Sequence, residues 1–223
     1  MSASNIEWHV ADTPGEVTGA VIAHLKAAAA EAIAARRRFV IALSGGSTPL
    51  AVYRALGADK SIDLSRWVLL YADERCLPVG DPERNDLAVL DSGMAARAGA
   101  HLTIPAQLGP EAAAQAYALM ISSFLPLDVA YLGMGPDGHT ASLFPDHEPD
   151  PVASVVPVYD SPKPPPERVS LGLSTLLAAR QRVVHLTGAG KADVVARWRA
   201  GEVLPITRVC APGAMVFLDV AAA

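Results

Sequence analysis

Two residues have the types and spacing for acid–base chemistry: Asp137 and His139, in the stretch Leu132-Gly133-Met134-Gly135-Pro136-Asp137-Gly138-His139-Thr140. An imidazole changes charge near neutral pH, so His139 can take a proton from water. A carboxylate beside it can orient the ring, as the third member of a triad does. Residues two apart on a turn can also diverge, so the spacing alone leaves that pairing open. The glycines give the turn backbone freedom and let it approach a ligand closely. The apolar run at residues 127–132 reads as a strand leading into the turn. The exit of a parallel strand is where open α/β sheets bind ligands.

The same stretch matches G-x-G-x-x-G, but a dinucleotide site needs its third glycine to open a helix. Pro145 follows Gly138 within seven residues, so no helix of useful length can form. A metal hydrolase is also disfavoured. Asp137 and His139 are possible ligands, yet the nearest second histidine, His147, lies beyond Pro145.

A second cluster complements the first. Phe39-Val40-Ile41-Ala42-Leu43 is a compact strand running into Ser44-Gly45-Gly46-Ser47-Thr48-Pro49, with a helix expected to Gly57. Ser47 or Thr48 is the expected cap, and Pro49 suits the first turn. Free N–H groups at a helix start, with hydroxyls beside them, form an anion site suited to phosphate. Pro49 stands where a G-x-S-x-G hydrolase elbow needs its last glycine, which excludes that reading.

Other chemistry sits at further strand exits. Trp67–Tyr71 ends in Asp73-Glu74-Arg75, followed by a polar loop containing Asn85. Ser161-Pro162-Lys163-Pro164-Pro165-Pro166-Glu167-Arg168 reads as a stiff extended arm presenting Lys163 and Arg168 at a cleft rim. The strand at residues 183–187 leads into Gly188-Ala189-Gly190-Lys191, whose lysine could reach a bound phosphate.

The elements that must position these groups alternate. A helix is expected from Asp12-Thr13-Pro14, with Asp12 as cap, to Arg36-Arg37-Arg38, whose cations suit a helix C-terminus. Residues 109–125 are alanine-rich and helical, residues 152–158 and 169–173 are strands, and residues 215–220 form the last strand. Alternating strands and helices imply a three-layer α/β/α fold with a mostly parallel, Rossmann-like sheet. The turns at the ends of four strands can then share one pocket. The 223 residues fit one domain, and hydrophobic residues at 51% supply its core. The net charge of −5 argues against a nucleic-acid partner, so an anionic substrate needs local positive charge. No uninterrupted apolar run reaches the ~18 residues of a membrane span, and the N-terminus lacks a signal-peptide pattern. Cys76 and Cys210 form no metal pair and read as reduced thiols. A cytoplasmic monomer without a cofactor is the expectation.

Taken in order, Leu43 to Pro49, Asp73-Glu74-Arg75, Gly135 to Pro145, Ser161 to Pro165 and Gly188 to Ala192 resemble the 6-phosphogluconolactonase family over nearly the whole chain. The resemblance implies hydrolysis of 6-phospho-D-glucono-1,5-lactone to 6-phosphogluconate, in the oxidative pentose phosphate pathway. A lactone is an activated ester, so one general base can suffice, and His139 is the natural choice. Arg75 is the candidate to stabilise the carbonyl oxygen, and Asp73 and Asn85 to hold sugar hydroxyls. The family pattern implies that Ser44, Gly45, Gly46, Ser47 and Thr48 hold phosphate, and that Arg168 and Lys191 neutralise it. The related glucosamine-6-phosphate deaminases share the phosphate loop and the Gly-x-Asp-Gly-His turn. Their pattern then runs Ile-Ala-Phe-Asn-Glu-Pro, where this chain has Thr140-Ala141-Ser142-Leu143-Phe144-Pro145. Phe144 cannot transfer a proton, which favours the lactonase over an aldose–ketose isomerase or deaminase. A non-catalytic sugar-phosphate sensor would not need Asp137 and His139 together.

Overall fold

The computed structural model describes residues 6–148 and 150–223. The chain enters as strand β1 (Ile6–Ala11) and helix α1 (Pro14–Arg36), then β2 (Phe39–Leu43), α2 (Ser47–Ala58) and β3 (Trp67–Tyr71). A short β4 (Asp73–Arg75), α3 (Asn85–Asp91), β5 (Ala100–His101), α4 (Pro110–Ile121) and β6 (Val129–Leu132) follow. The remainder is β7 (Val155–Val158), β8 (Arg168–Leu171), α5 (Leu173–Ala178), β9 (Gln181–Leu186), α6 (Ala192–Arg199), α7 (Pro205–Val209) and β10 (Ala214–Asp219).

Seven strands form one sheet in the order β1-β10-β9-β6-β2-β3-β5. Every pairing in it is parallel. Parallel strands are covered on both faces, which is why Phe-Val-Ile-Ala-Leu in β2 and Trp-Val-Leu-Leu-Tyr in β3 are apolar throughout and fully buried. Each such Leu or Ile contributes about 1.5–3 kcal/mol by leaving water. The order reverses between β2 and β6: the chain winds outward to β3 and β5 on one side, and to β9 and β10 on the other. A crevice opens at the strand ends beside such a switch point.

Helix α1 packs on the sheet through Val17, Val21, Leu25, Ala28, Ala29 and Ala32. Its cap is Thr13 rather than Asp12. Pro14 occupies the first turn, so the residue before it takes the cap position: the Thr13 hydroxyl accepts the Glu16 N–H at 3.2 Å, and Glu16 Oε2 accepts the Thr13 N–H at 3.1 Å. Among the described residues, α1 is the one helix long and apolar enough by length and composition to cross a membrane, with a mean hydropathy of 1.3 over 18 residues.

Two features depart from the sequence reading. Strand β1 is an edge strand whose residues are only half-buried or exposed, so no apolar run announces it. A second, antiparallel sheet of order β4-β8-β7 joins a segment expected as a charged turn to two expected as strands. Asp73-Glu74-Arg75 is therefore not a free polar turn. It pairs with β8, with Arg75 opposite Arg168 and Asp73 opposite Ser170.

Candidate active site

The ends of β2, β3, β6 and β9 converge on a cleft of roughly 370 Å³, lined by all but one of the residues that the sequence reading selected. Asp137 is the exception, and it meets the cleft through its contact with His139. The turn after β6 is closed by Gly135 N–H donating to the His139 carbonyl at 2.8 Å and Gly138 N–H to the Gly135 carbonyl at 3.0 Å. This folding turns Asp137 and His139 toward each other, and His139 Nδ1 lies 2.5 Å from Asp137 Oδ1. The backbone must be glycine beneath them. A Cβ on Gly135 would stand 2.1 Å from His139 Cε1 and Nδ1, and 2.5 Å from Asp137 Oδ1.

Burial lowers the His139 pKa, because the charged ring is disfavoured away from water, and Lys163 adds to this. Asp137 opposes the shift without overcoming it. Burial pushes the Asp137 carboxyl up, but its bond to His139 and the charge of Lys163 outweigh this and lower it. At neutral pH the arrangement is a carboxylate accepting Nδ1–H from a neutral imidazole. Among the described residues nothing hydrogen-bonds His139 Nε2, so its lone pair is open to the cleft. The ring packs against Phe144 at 4.9 Å between centroids.

Across the cleft, α2 begins at the loop of residues 44–48. Its N-cap is Gly46, with no side-chain capping bond, so neither Ser47 nor Thr48 is the cap. Those two residues lie in the first turn, where N–H groups have no partner within the helix. Thr48 Oγ1 is 3.3 Å from Thr187 Oγ1. Ser44 is buried, and its hydroxyl donates to the Tyr131 carbonyl at 2.9 Å, strapping β2 to β6. Ser44 thus shapes the loop rather than offering a free hydroxyl. Gly45 is required by crowding, since a Cβ there would lie 1.8 Å from Asn85 Oδ1.

Asp73 and Asn85 are buried and bonded together. Asn85 Nδ2 donates to the Asp73 carbonyl at 2.9 Å and to Asp73 Oδ1 at 3.2 Å, while Ser142 Oγ donates to Asp73 Oδ2 at 2.6 Å. Behind them, fully buried Glu74 accepts the N–H groups of Asn85 at 2.7 Å and Asp86 at 2.9 Å. Burial pushes the Glu74 carboxyl up to about 7, against those bonds. Arg84 is paired with Asp86 at 2.8 Å. This network holds the start of α3, and with it Asn85, against the cleft.

The basic residues divide by surroundings. Lys191 Nζ donates to the Met134 carbonyl at 2.6 Å, bridging the exits of β9 and β6 at the cleft. Burial and the nearby Lys163 lower its pKa. Arg75 Nη1 donates to the Glu83 carbonyl at 2.5 Å, and its Nε is buried without a partner among the described residues. The proline-rich segment is not an extended arm. Ser161 N–H donates to the Pro166 carbonyl at 3.0 Å, so the segment closes into a loop. Its centre is the buried Arg168 guanidinium, which donates to the carbonyls of Lys163 at 3.0 Å, Pro164 at 3.1 Å and Pro165 at 3.1 Å. Among the described residues its Nη1 has no protein partner. Lys163 itself sits beside the pair, with Nζ 3.5 Å from His139 Nδ1 and 3.9 Å from Asp137 Oδ1.

A model of the family described as glucosamine-6-phosphate isomerases/6-phosphogluconolactonase matches residues 12–217. The chain belongs to this family. It is 36% identical to a 6-phosphogluconolactonase of Mycobacterium leprae, over 89% of this chain and 87% of that one. It is 39% identical to a human 6-phosphogluconolactonase, over 80% of this chain and 76% of that one. The solved structure of a 6-phosphogluconolactonase from Shewanella baltica superposes with a TM-score of 0.87 at 29% identity, covering 97% of this chain and 98% of that one.

Two residues that support or line this family member's cleft are not among those the sequence singles out. Ser142 fixes Asp73, and the sequence offers it only as one position of a longer motif. The sequence places His185 only within a strand, yet it lines the cleft, is buried, and holds the Tyr131 hydroxyl through Nδ1 at 2.7 Å. Its Nε2 is buried without a partner among the described residues, and burial pushes its pKa down to about 4. The two-residue strand period places it on the same face as Thr187, which was the available signal. Among the described residues, no group of three or more His, Cys, Asp or Glu side chains gathers as a metal site.

Proposed function

We propose that the protein hydrolyses 6-phospho-D-glucono-1,5-lactone to 6-phospho-D-gluconate, with His139 as general base. The observation that carries this reading is the Asp137–His139 pair, at 2.5 Å, facing an uncapped helix start across one cleft. The phosphate lies on the N–H groups of Gly46, Ser47 and Thr48, with the Thr48 hydroxyl beside them and the charges of Lys191 and Arg168 Nη1 facing it. Asp73 and Asn85, locked in orientation, receive sugar hydroxyls. His139 Nε2 then takes a proton from water as the oxygen attacks the lactone carbonyl carbon. Asp137 holds the imidazolium that forms. Arg75 stabilises charge on the carbonyl oxygen. The intermediate collapses by breaking the bond to the ring oxygen, which receives the proton from His139. The product is a hydroxy acid that ionises at neutral pH. This chemistry belongs to the oxidative pentose phosphate pathway, carried out by a monomer in the cytoplasm.

Phe144, packed against the His139 ring, supports this reading over deamination, since a phenyl ring cannot transfer the proton that an amine leaving group requires. The test is an assay with freshly prepared 6-phosphogluconolactone, corrected for spontaneous hydrolysis, alongside glucosamine 6-phosphate. Acid release from the first and no ammonia from the second are expected. Ammonia release at a comparable rate would overturn the assignment.

A further inference from the structure

The loop at residues 161–168 does something for the His139 side of the cleft that a phosphate-binding role does not explain. Three of its carbonyls close on one buried guanidinium, that of Arg168. Ser161 fastens the same loop, its hydroxyl donating to the Lys163 carbonyl at 2.9 Å. The backbone at Lys163 is therefore pinned from two sides. Its side chain runs to the Asp137–His139 pair, where three nitrogens converge on Asp137 Oδ1. These are His139 Nδ1 at 2.5 Å, the His139 backbone N–H at 3.4 Å and Lys163 Nζ at 3.9 Å.

We infer that Lys163 is a positioning residue of the general base: its ammonium anchors the Asp137 carboxylate and keeps the His139 ring neutral and ready to accept a proton. The argument is one of charge and distance. A neutral imidazole with Nδ1–H turned to Asp137 presents no lone pair to Lys163, so the 3.5 Å contact is electrostatic rather than a hydrogen bond. Protonating the ring would set a second cation against the first, within the range where such charges repel appreciably. The other charged groups around the pair act differently. Asp73 on β4 pulls in the opposite sense to Lys163. Lys191 faces Asp137 but is committed to the Met134 carbonyl, and Arg197 on α6 is paired with Glu202. Arg168 and His147 meet Phe144, the ring behind His139. Among the described residues, Lys163 is thus the cation in contact with both members of the pair.

The inference rests on His139 being the base, so its test has a readout that needs no turnover. The midpoint of His139 is followed by NMR of its ring protons in the ligand-free protein, and separately through the pH dependence of kcat/KM. Lys163→Met keeps the stem and removes the charge, while Lys163→Arg keeps the charge. The Lys163→Met midpoint should rise by roughly 0.3–1 unit, a loss of about two- to tenfold in neutral base below the midpoint, with KM little changed at pH 8. Lys163→Arg should stay near the wild-type midpoint. The Lys163 side chain is 42% exposed, so added salt should narrow the gap between the wild-type and Lys163→Met midpoints. An unmoved midpoint in Lys163→Met would overturn the inference, whatever the enzyme's substrate. A raised KM at every pH with an unmoved midpoint would also overturn it, and make Lys163 a substrate contact. A shifted NMR midpoint in a protein that fails to hydrolyse the lactone would uphold the inference and sink the proposed function.

Discussion

Gly135→Ala should disable the base without altering it. The added Cβ would stand 2.1 Å from two atoms of the His139 ring, and the three nearest atoms are all side-chain atoms of His139 and Asp137. Ordinary carbon contacts begin near 3.4–4 Å, so the ring must retreat by more than about 1 Å. That retreat breaks the 2.5 Å bond to Asp137. A misplacement of about 1 Å in a reacting group costs on the order of 10²-fold. Because the three nearest atoms all belong to side chains, the turn itself can persist, and the stability loss should stay within about 1 kcal/mol, unlike that of a substitution in the packed core. The phosphate loop is across the cleft, so 6-phosphogluconate should bind within a few-fold of wild type. The measurement is kcat/KM for the lactone, product affinity by calorimetry, and melting temperature on one preparation. A folded Gly135→Ala protein with near-wild-type kcat/KM would refute the requirement for a fixed Asp137–His139 pair.

Lys191→Ala should weaken binding of 6-phosphogluconate by roughly 1.5–3 kcal/mol, the scale of a charge-assisted hydrogen bond, and affect gluconate much less. Equal losses for the phosphorylated and unphosphorylated acids would show that Lys191 does not read phosphate. His185 makes stability depend on pH: its folded pKa of about 4 lies below the unfolded value near 6.5, so the unfolded chain binds the proton first as pH falls. The contribution of this group should drop by up to about 3 kcal/mol between about pH 6.5 and 4, while buried Glu74, raised to about 7, works in the opposite sense. His101 and His139, also shifted down, add in the same sense as His185. His185→Leu should shrink that limb while costing about 1–3 kcal/mol at pH 7, since it leaves the buried Tyr131 hydroxyl unpaired. An unchanged slope of urea stability against pH in His185→Leu would contradict this.

The central sheet was legible because buried parallel strands are written as unbroken apolar runs, as in Phe39–Leu43 and Trp67–Tyr71. The two halves of the cleft were legible because glycine, proline and hydroxyl residues at strand exits have few other uses together. Pairing in space was not written there. Nothing in Asp73-Glu74-Arg75 announces a strand that pairs with residues 168–170, because that contact is made across nearly a hundred residues. The proline-rich segment misled for a related reason. Its composition favours an extended arm, but Arg168 supplies donors that gather its carbonyls into a closed loop. That same closure turns Lys163 from the rim toward His139. Local chemistry also misplaced both caps: Thr13 takes the role expected of Asp12, and Gly46 leaves Ser47 and Thr48 free to face the cleft.

The most direct test of the account is the pH–rate profile of His139→Ala, with spontaneous hydrolysis subtracted, measured beside wild type and with product affinity determined on the same protein. Wild-type kcat/KM should rise through a midpoint below about 6.5, the direction in which burial moves His139, and then flatten. His139→Ala should lose about 10²–10⁴-fold in kcat and lose that limb, while binding 6-phosphogluconate nearly as well as wild type. A folded His139→Ala enzyme that keeps the limb and a near-wild-type kcat would contradict the account and move the base to another residue of the cleft.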